Sequence, residues 1–514
     1  MSENPTRLRL ILSLVTIFCS SLLVLYFGWQ IGQTALTDPD TCFLVAVGRQ
    51  ILAGGLPQQD VFSWTAAGRP FVVYQWLSEI ILASLLAGGG ASSLAYLTGW
   101  AVAVAFLVLP LCLALRQGWP LYLVLPVASL GIAAGSFHFP CRPEIFSYLF
   151  LSTLVVSLFW PAKSCRPFLT ACLSLLAFAV WANLHSGFVL GIFVLFLVAL
   201  GSLVAIVWGG KEEARLRAEE AGVYWLALAG ALLGSLVTPY GLALWAYLPH
   251  LFFSRVNRLN LELMPISIWE LLSFDYLPYL ALLGLALLGL IYLLRETLAK
   301  GNKPALSGPY LAFLLLAIIS PLAGLGCRRM VPFTVLFFYG FFYVLAAVAG
   351  RRPGSQPSQS SWSLRSVYLL AVFVPLLLQA AGLAAALSFF PASLPQSTFG
   401  FALPQGALSY IERERPPGKL LNDPQFGDVM IFREGGAAQV FIDTRFDLYG
   451  DELVQNFWNM ANARGNWRQL LESYGIDWIF LPPRAALVEQ LKAARWRVLF
   501  SDDQAAILAR PGAK

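Results

Sequence analysis

Long apolar segments constrain this chain more than any other feature of its sequence. Of its 514 residues, 58% are hydrophobic and only 12% are charged, whereas a soluble domain carries about 25% charged residues. A helix needs about 20 apolar residues to cross a bilayer, and about eleven segments meet that length. They are roughly 8–31, 93–115, 120–136, 143–160, 167–184, 187–208, 222–238, 277–294, 308–325, 331–349 and 366–389. The sequence therefore predicts an α-helical polytopic membrane protein.

Positive charges set the orientation of these spans. Residues 73–87 are also apolar, but they form a shorter segment that contains Gln75 and Glu79. If this segment is a juxtamembrane helix and the N-terminus is cytoplasmic, inner loops hold about twice as many Lys and Arg residues as outer loops, as membrane proteins generally do. Counting it as a span would reverse every later loop. No Lys/Arg-rich run with interleaved aromatics indicates a nucleic-acid partner.

The composition changes near residue 392, which predicts two domains. Residues 1–391 form a transmembrane domain with a long first outer loop at 32–92, and residues 392–514 form a soluble α/β domain on the extracytoplasmic side. In the second domain, short β-like runs alternate with helical patterns, as in small α/β folds. The runs are 419–421, 429–432, 439–442, 478–481, 497–500 and 505–508, and the helical stretches are 404–413, 451–474 and 484–495.

The first outer loop begins with two acids, Asp38 and Asp40, on either side of Pro39. Asp38 is a suitable N-cap, Pro39 suits the first helical position, and an acid in the first turn complements the helix dipole. A helix would follow along the membrane surface and end at Gly54-Gly55. A structural role thus explains both acids, but carboxylates near a bilayer are costly and often mark functional sites.

Other polar residues on the same face allow two interpretations each. Arg142 and Glu144 flank a proline that can start a helix, and His185 lies at a helix end, so each has either a structural or a functional role. Arg328 and Arg329 lie in a short outer turn and fit lipid-headgroup anchoring or an anion site. In the soluble domain, residues 441–450 place Asp443, Arg445 and Asp447 on alternate positions of an extended segment. They would form an ion-pair network or contact an acceptor.

Together these motifs resemble the C-type glycosyltransferases, in the branch of the lipid A aminoarabinose transferases and protein O-mannosyltransferases. The resemblance covers roughly residues 8–350. It consists of the acidic motif after the first span, the glycine turn that ends the following helix, a basic-Pro element, a Tyr-x-Trp helix, and an Arg with a carboxylate in a later outer turn. These are Asp38 and Asp40, Gly54-Gly55, Arg69-Pro70 in place of Lys-Pro, Tyr74-Gln75-Trp76, and Arg142 with Glu144.

The resemblance implies a bacterial inner-membrane enzyme of cell-envelope glycan biosynthesis. It would transfer a sugar from a polyprenyl-phosphate donor to a lipid, glycan or protein acceptor on the outer face. Asp38 would act as the general base and Asp40 would position substrate, or both would bind a divalent cation such as Mg²⁺ or Mn²⁺ if one is used. The residues expected to bind the donor phosphate or another part of the substrate are Arg69, Tyr74, Gln75, Glu79, Arg142, Glu144, His185, Arg328 and Arg329.

Two other classes of function compete with this hypothesis. A transporter or flippase of lipid-linked saccharides would need charged residues within its spans and internal repeats, and the spans show neither. A catalytically silent assembly or scaffold protein, whose soluble domain binds a partner, is the other alternative. The sequence gives neither the sugar nor the acceptor.

Overall fold

The computed structural model describes Leu14 and residues 38–512, with gaps at 120, 161–166, 209–210, 254–260, 301–306, 350–402 and 435–438. The predicted spans at 8–31 and 366–389 therefore lie outside the described residues, apart from Leu14. The predicted domain boundary near residue 392 lies outside them as well.

The described residues up to 349 are almost entirely helical. The helices are α1 (Pro39–Gly54), α2 (Trp76–Ala103), α3 (Leu109–Arg116), α4 (Leu121–Gly135), α5 (Glu144–Phe159), α6 (Pro167–Leu184), α7 (Phe188–Trp208), α8 (Lys211–Ser235), α9 (Leu242–Phe253), α10 (Ile268–Leu271), α11 (Leu277–Lys300), α12 (Gly308–Gly326) and α13 (Val331–Ala349). A π-helical turn at Val104–Val108 joins α2 to α3. Short 3-10 turns lie at Ser136–His138, Leu261–Leu263 and Arg328–Met330.

Six of the described helical segments are long and apolar enough to cross a membrane. They are Trp76–Arg116, Pro167–Leu184, Phe188–Trp208, Leu277–Leu298, Gly308–Gly326 and Arg328–Val348. The spans predicted at 120–136 and 143–160 correspond to shorter apolar helices, Val124–His138 and Glu144–Phe159. The prediction of a mostly helical, membrane-type chain is confirmed, while the full number of eleven spans is not shown.

One helix start differs from the sequence-based expectation, and one break within a helix agrees with it. Helix α8 begins at Lys211 rather than near 222, where the predicted span starts, so the charged segment before that span is also helical. Its Lys, Glu, Arg and Ala residues all have high helix propensity, and no Gly or Pro interrupts them. The long α2 breaks at Gly90, where φ is 65°, and the Ser93 hydroxyl donates to the Leu85 carbonyl at 2.7 Å. This break separates the predicted juxtamembrane helix from the span that follows.

The C-terminal unit (residues 403–512) contains a four-stranded sheet and five helices. The strands are β1 (Lys419–Asn422), β2 (Ile476–Leu481), β3 (Arg497–Ser501) and β4 (Ala506–Ala509), in the order β1-β2-β4-β3. β1 and β2 are parallel, and the other two pairs are antiparallel. The helices are α14 (Gln405–Glu414), α15 (Pro424–Arg433), α16 (Phe446–Ala461), α17 (Trp467–Tyr474) and α18 (Ala486–Ala493).

Two of the predicted β-like runs are not strands of this sheet. Residues 429–432 lie within α15, because Asp423 caps a helix there and Pro424 occupies its first position. A short apolar run fits a buried helix as well as a strand. Residues 439–442 are extended, but Val440 pairs with the first loop instead. Its N–H donates to the Phe62 carbonyl at 3.1 Å and its carbonyl accepts from the Trp64 N–H at 3.0 Å.

Two parts of the protein pack against helix α1, which the sequence predicts to lie along the membrane surface. One side packs against α2 so closely that a Cβ on Gly48 would lie 2.0 Å from the Glu79 carbonyl oxygen. The other side packs against α15 of the C-terminal unit. Phe43, Val47 and Ile51 of α1 share one apolar core with residues of that unit. The start of α1 is therefore held by both parts of the chain.

Candidate functional site

Charged side chains and one histidine from separate segments meet where several apolar helices begin or end. We call this group the charged cluster. It consists of Asp38 and Asp40 at the start of α1, His138 in the turn after α4, Arg142 and Glu144 at the start of α5, Glu262 in the turn Leu261–Leu263, and Arg329 in the turn before α13. Helix starts and tight turns place these side chains at the ends of the apolar segments instead of within them.

Arg142 is the centre of the cluster. Its Nε and Nη2 lie 2.7 and 2.6 Å from the two carboxylate oxygens of Asp38. Its Nη1 lies 3.0 Å from Asp40 and 3.0 Å from Glu262. One buried guanidinium thus binds three carboxylates from different parts of the chain. Bidentate Arg–carboxylate pairs have defined geometry as well as strength, so Arg142 fixes the orientation of the α1 start.

The two acids of α1 have different environments. Asp38 caps the helix as predicted, because its Oδ2 accepts from the Thr41 backbone N–H at 3.2 Å and from the Thr41 hydroxyl at 3.0 Å. Both of its oxygens are therefore already bonded. Asp40 is more open, with 29% of its side chain exposed against 12% for Asp38. Burial raises the pKa of Asp40 to about 7, although the charge of Arg142 opposes the shift.

A second arginine holds the other acids of the cluster. Arg329 Nε lies 3.1 Å from Glu144, and its Nη2 lies 2.9 Å from Glu262. Glu262 consequently bridges both arginines. Burial would raise its pKa, but Arg142 and Arg329 outweigh burial and hold the pKa of Glu262 well below its usual range. With four carboxylates and two guanidinium groups, the cluster carries excess negative charge when all four acids are ionised.

His185 lies beside this cluster with a defined tautomer. Its Nδ1 accepts from the Gly187 backbone N–H at 3.0 Å and lies 2.7 Å from Ser147 Oγ. The Trp181 indole donates to that same hydroxyl oxygen at 2.8 Å. Because a backbone N–H points at Nδ1, the ring hydrogen belongs on Nε2. Burial lowers the pKa of His185 to about 4, so the ring is neutral at pH 7 and its Nε2–H is a donor.

The remaining residues singled out from the sequence have other partners. Arg69 donates to the carbonyls of Tyr449 at 2.9 Å and Leu448 at 3.5 Å in the C-terminal unit. Arg328 binds Glu270 at 2.7 Å. The Tyr74 ring lies 6.1 Å from the Tyr247 ring. Gln75 directly precedes α2, and its backbone carbonyl accepts from the Glu79 N–H at 3.3 Å. The residues that the structure brings together are Asp38, Asp40, Arg142, Glu144 and Arg329.

Sequence reasoning did not single out Glu262 or His138. His138 lies only a few residues before Arg142, and its Nε2 is 3.9 Å from Glu144. The closeness of His138 to Arg142 in the sequence was the one clue that it belongs to this site. Glu262 is 120 positions from Arg142 and lies between apolar helices in a segment with no motif around it. No local pattern in a single sequence could have paired the two.

A buried ion-pair network joins the C-terminal unit to the first loop. Arg445 binds Asp443 through two contacts of 2.9 and 2.6 Å, and it binds Asp60 of the first loop at 2.7 Å. Of the two interpretations of Asp443 and Arg445, the structure therefore has the ion-pair network. Asp447 does not share it, because α16 begins at Phe446 and turns Asp447 towards the Tyr247 hydroxyl.

Comparisons with known proteins identify the fold. No protein-family model and no curated protein matches the chain. Among solved structures, an Archaeoglobus fulgidus oligosaccharyltransferase tethered to an acceptor peptide with the NVT sequon matches with a TM-score of 0.50 at 14% identity, over 91% of this chain and 68% of that one. Its apo form matches with a TM-score of 0.49 at 12% identity, over 91% and 69%. The chain therefore shares the fold of that oligosaccharyltransferase.

Proposed function

We propose that this chain is an integral membrane glycosyltransferase of the C type. It transfers a sugar from a polyprenyl-phosphate donor to an acceptor at the face of the membrane that holds the charged cluster. The shared fold supports the enzyme class, and the sequence resemblance supports the lipid-phosphate donor. The charge distribution of the loops supports the extracytoplasmic face of a bacterial inner membrane. One observation carries the proposal, namely a partly exposed carboxylate, Asp40, held by Arg142 where apolar helices end.

Asp40 is the better general base of the two acids in α1. A polyprenyl-phosphate sugar is already activated, so the enzyme must remove a proton from the acceptor. Asp38 has both oxygens bonded to Arg142 and Thr41. Asp40 has a more exposed side chain, and its pKa near 7 suits proton transfer at neutral pH. We therefore propose that Asp40 is the general base and that Asp38 positions Arg142. The sequence-based expectation was that Asp38 would be the base.

The leaving phosphate needs a partner of opposite charge or a strong hydrogen-bond donor. Arg142 is bound to three carboxylates, and its side chain is only 10% exposed. The side chain of Arg329 is 30% exposed, so Arg329 is the guanidinium that a phosphate can approach. The neutral His185 offers its Nε2–H nearby. In this proposal Arg329 neutralises the developing phosphate charge, and His185 donates a hydrogen bond to it.

Transfer from labelled donors tests the proposal. Full-length protein in liposomes would be supplied with radiolabelled polyprenyl-phosphate sugars and a lipid extract as acceptor, and release of the sugar from the donor would be measured. Asp40→Asn should slow transfer by roughly 10²–10⁴-fold, the usual contribution of a general base. Asp275→Asn, a matched change at an exposed acid, should leave the rate unchanged. Full activity of Asp40→Asn would refute the base assignment, and no reaction with any such donor would refute the function.

A further inference from the structure

The position of Arg142 bears on whether this site uses a metal. The resemblance implies that Asp38 and Asp40 would bind a divalent cation if one is used. Such an ion needs several oxygens directed at one centre, six of them at about 2.0–2.1 Å for Mg²⁺. In the structure the oxygens of Asp38, Asp40 and Glu262 are directed at the guanidinium of Arg142 instead, at 2.6–3.0 Å.

The residues of the cluster therefore do not fit a metal. Both oxygens of Asp38 are bonded to the guanidinium, and Thr41 also donates to one of them. A divalent cation beside Asp38 or Asp40 would lie within a few ångströms of a fixed positive charge, which repels it. Among the residues that the structure describes, no group of three or more His, Cys, Asp or Glu side chains is arranged to hold a metal ion.

We infer that the guanidinium of Arg142 takes the place of a divalent cation in this site. It connects Asp38 and Asp40 of α1 with Glu262 of a distant turn, as a shared metal ion would. Two consequences follow. The cluster excludes divalent cations while Arg142 is present. Removing the Arg142 side chain leaves three carboxylates around an unfilled space that suits a hard cation. A third consequence, that sugar transfer needs no metal, rests on the proposed function.

Manganese binding tests the inference without any enzyme assay. The purified full-length chain would be titrated with Mn²⁺ at pH 7.5, and free Mn²⁺ would be measured by electron paramagnetic resonance. Wild type should bind no Mn²⁺ at the cluster. Arg142→Ala should bind one Mn²⁺ at least tenfold more tightly than wild type, and R142A/D38N/D40N should lose that gain. Arg328→Ala is the matched control and should gain no Mn²⁺ binding. Arg328 lies next to Arg329 of the cluster but pairs with Glu270 outside it.

Three results would overturn the inference. The first is wild-type Mn²⁺ binding that Asp40→Asn abolishes. The second is folded Arg142→Ala that gains no binding, and the third is transfer that EDTA stops and Mn²⁺ restores. If Arg142→Ala does not fold, the wild-type Mn²⁺ titration and the EDTA assay still test the inference. Absent transfer with the expected binding pattern would refute the proposed function alone, whereas metal-dependent transfer would refute this inference and leave the proposed function intact.

Discussion

Replacing Arg445 by methionine should destabilise the junction between the first loop and the C-terminal unit. The guanidinium is 8% exposed and binds Asp60 and Asp443, which are completely buried. It also lies 4.8 Å from the Phe43 ring and 4.6 Å from the Phe71 ring. Methionine fills similar space among the rings but leaves two buried carboxylates without a cation. Removing one partner of a buried ion pair costs about 3–5 kcal/mol, and we expect a loss of that size.

Urea unfolding in detergent micelles, followed by tryptophan fluorescence, measures this loss as a change in the free energy of unfolding. Arg413→Met is the matched control in the same unit. Arg413 also binds a carboxylate, at 2.7 Å, and lies over a Tyr ring, but its side chain is 70% exposed. Exposed pairs contribute about 0–1 kcal/mol, so the control should stay within that range.

A further variant distinguishes the effect of the two unpaired carboxylates from the effect of lost packing. Adding Asp60→Asn and Asp443→Asn to Arg445→Met removes both unpaired carboxylates and should recover part of the loss, because replacing a whole buried ionic group is far less harmful than breaking it. If Arg445→Met alone stays within 1 kcal/mol of wild type, the network does not hold the two parts together and the reasoning is wrong.

Three other predictions concern α1. Gly48→Ala places a methyl group 2.0 Å from the Glu79 carbonyl oxygen, so it should separate α1 from α2 and lower the unfolding free energy by roughly 1–3 kcal/mol. Gly54→Ala is the control and should not lower it, because its Cβ would meet only Gln50 at 3.7 Å. Equal effects of the two substitutions would contradict the close packing. Because the pKa of Asp40 is about 7 and the ionised form is the base, transfer should rise up to tenfold per pH unit below 7 and level off above it; a flat rate from pH 5.5 to 8 would exclude Asp40 as the base. The same raised pKa makes the folded state hold a proton that the unfolded chain, with a pKa of about 3.9, releases. The contribution of Asp40 to folding stability is thus present in acid and lost as pH rises to about 7, and Asp40→Asn should remove that slope.

Local signals were sufficient for some of these features. The cap formed by Asp38, the proline after it and the glycine turn at its end act within one helix, so their sequence spacing predicted α1 correctly. Strands β1–β4 likewise coincide with short apolar runs that the sequence analysis identified. Residues 429–432 have the same composition but are helical, because an Asp-Pro cap precedes them.

The charged cluster could be predicted only in part. Asp38, Asp40, Arg142 and Glu144 were candidates because unusual polar residues stand out beside apolar spans. That Glu262 would bridge Arg142 and Arg329 depends on how distant turns pack together. The different environments of Asp38 and Asp40 also depend on tertiary structure. The two acids differ in exposure and in their contacts with Arg142 and Glu262, which local sequence does not predict. The same is true of Arg69, whose partners lie in the C-terminal unit.

The enclosure of α1 has a consequence for biosynthesis. A ribosome adds roughly 5–20 residues per second, so α15 follows α1 by tens of seconds. During that interval α1 has no cover on one side, and its apolar surface is a substrate for chaperones and proteases. A chain that stops before α15 would keep most of its membrane helices and still lack a stably held Asp40. The proposed sugar transfer would therefore begin only after α15 has been made and has packed against α1.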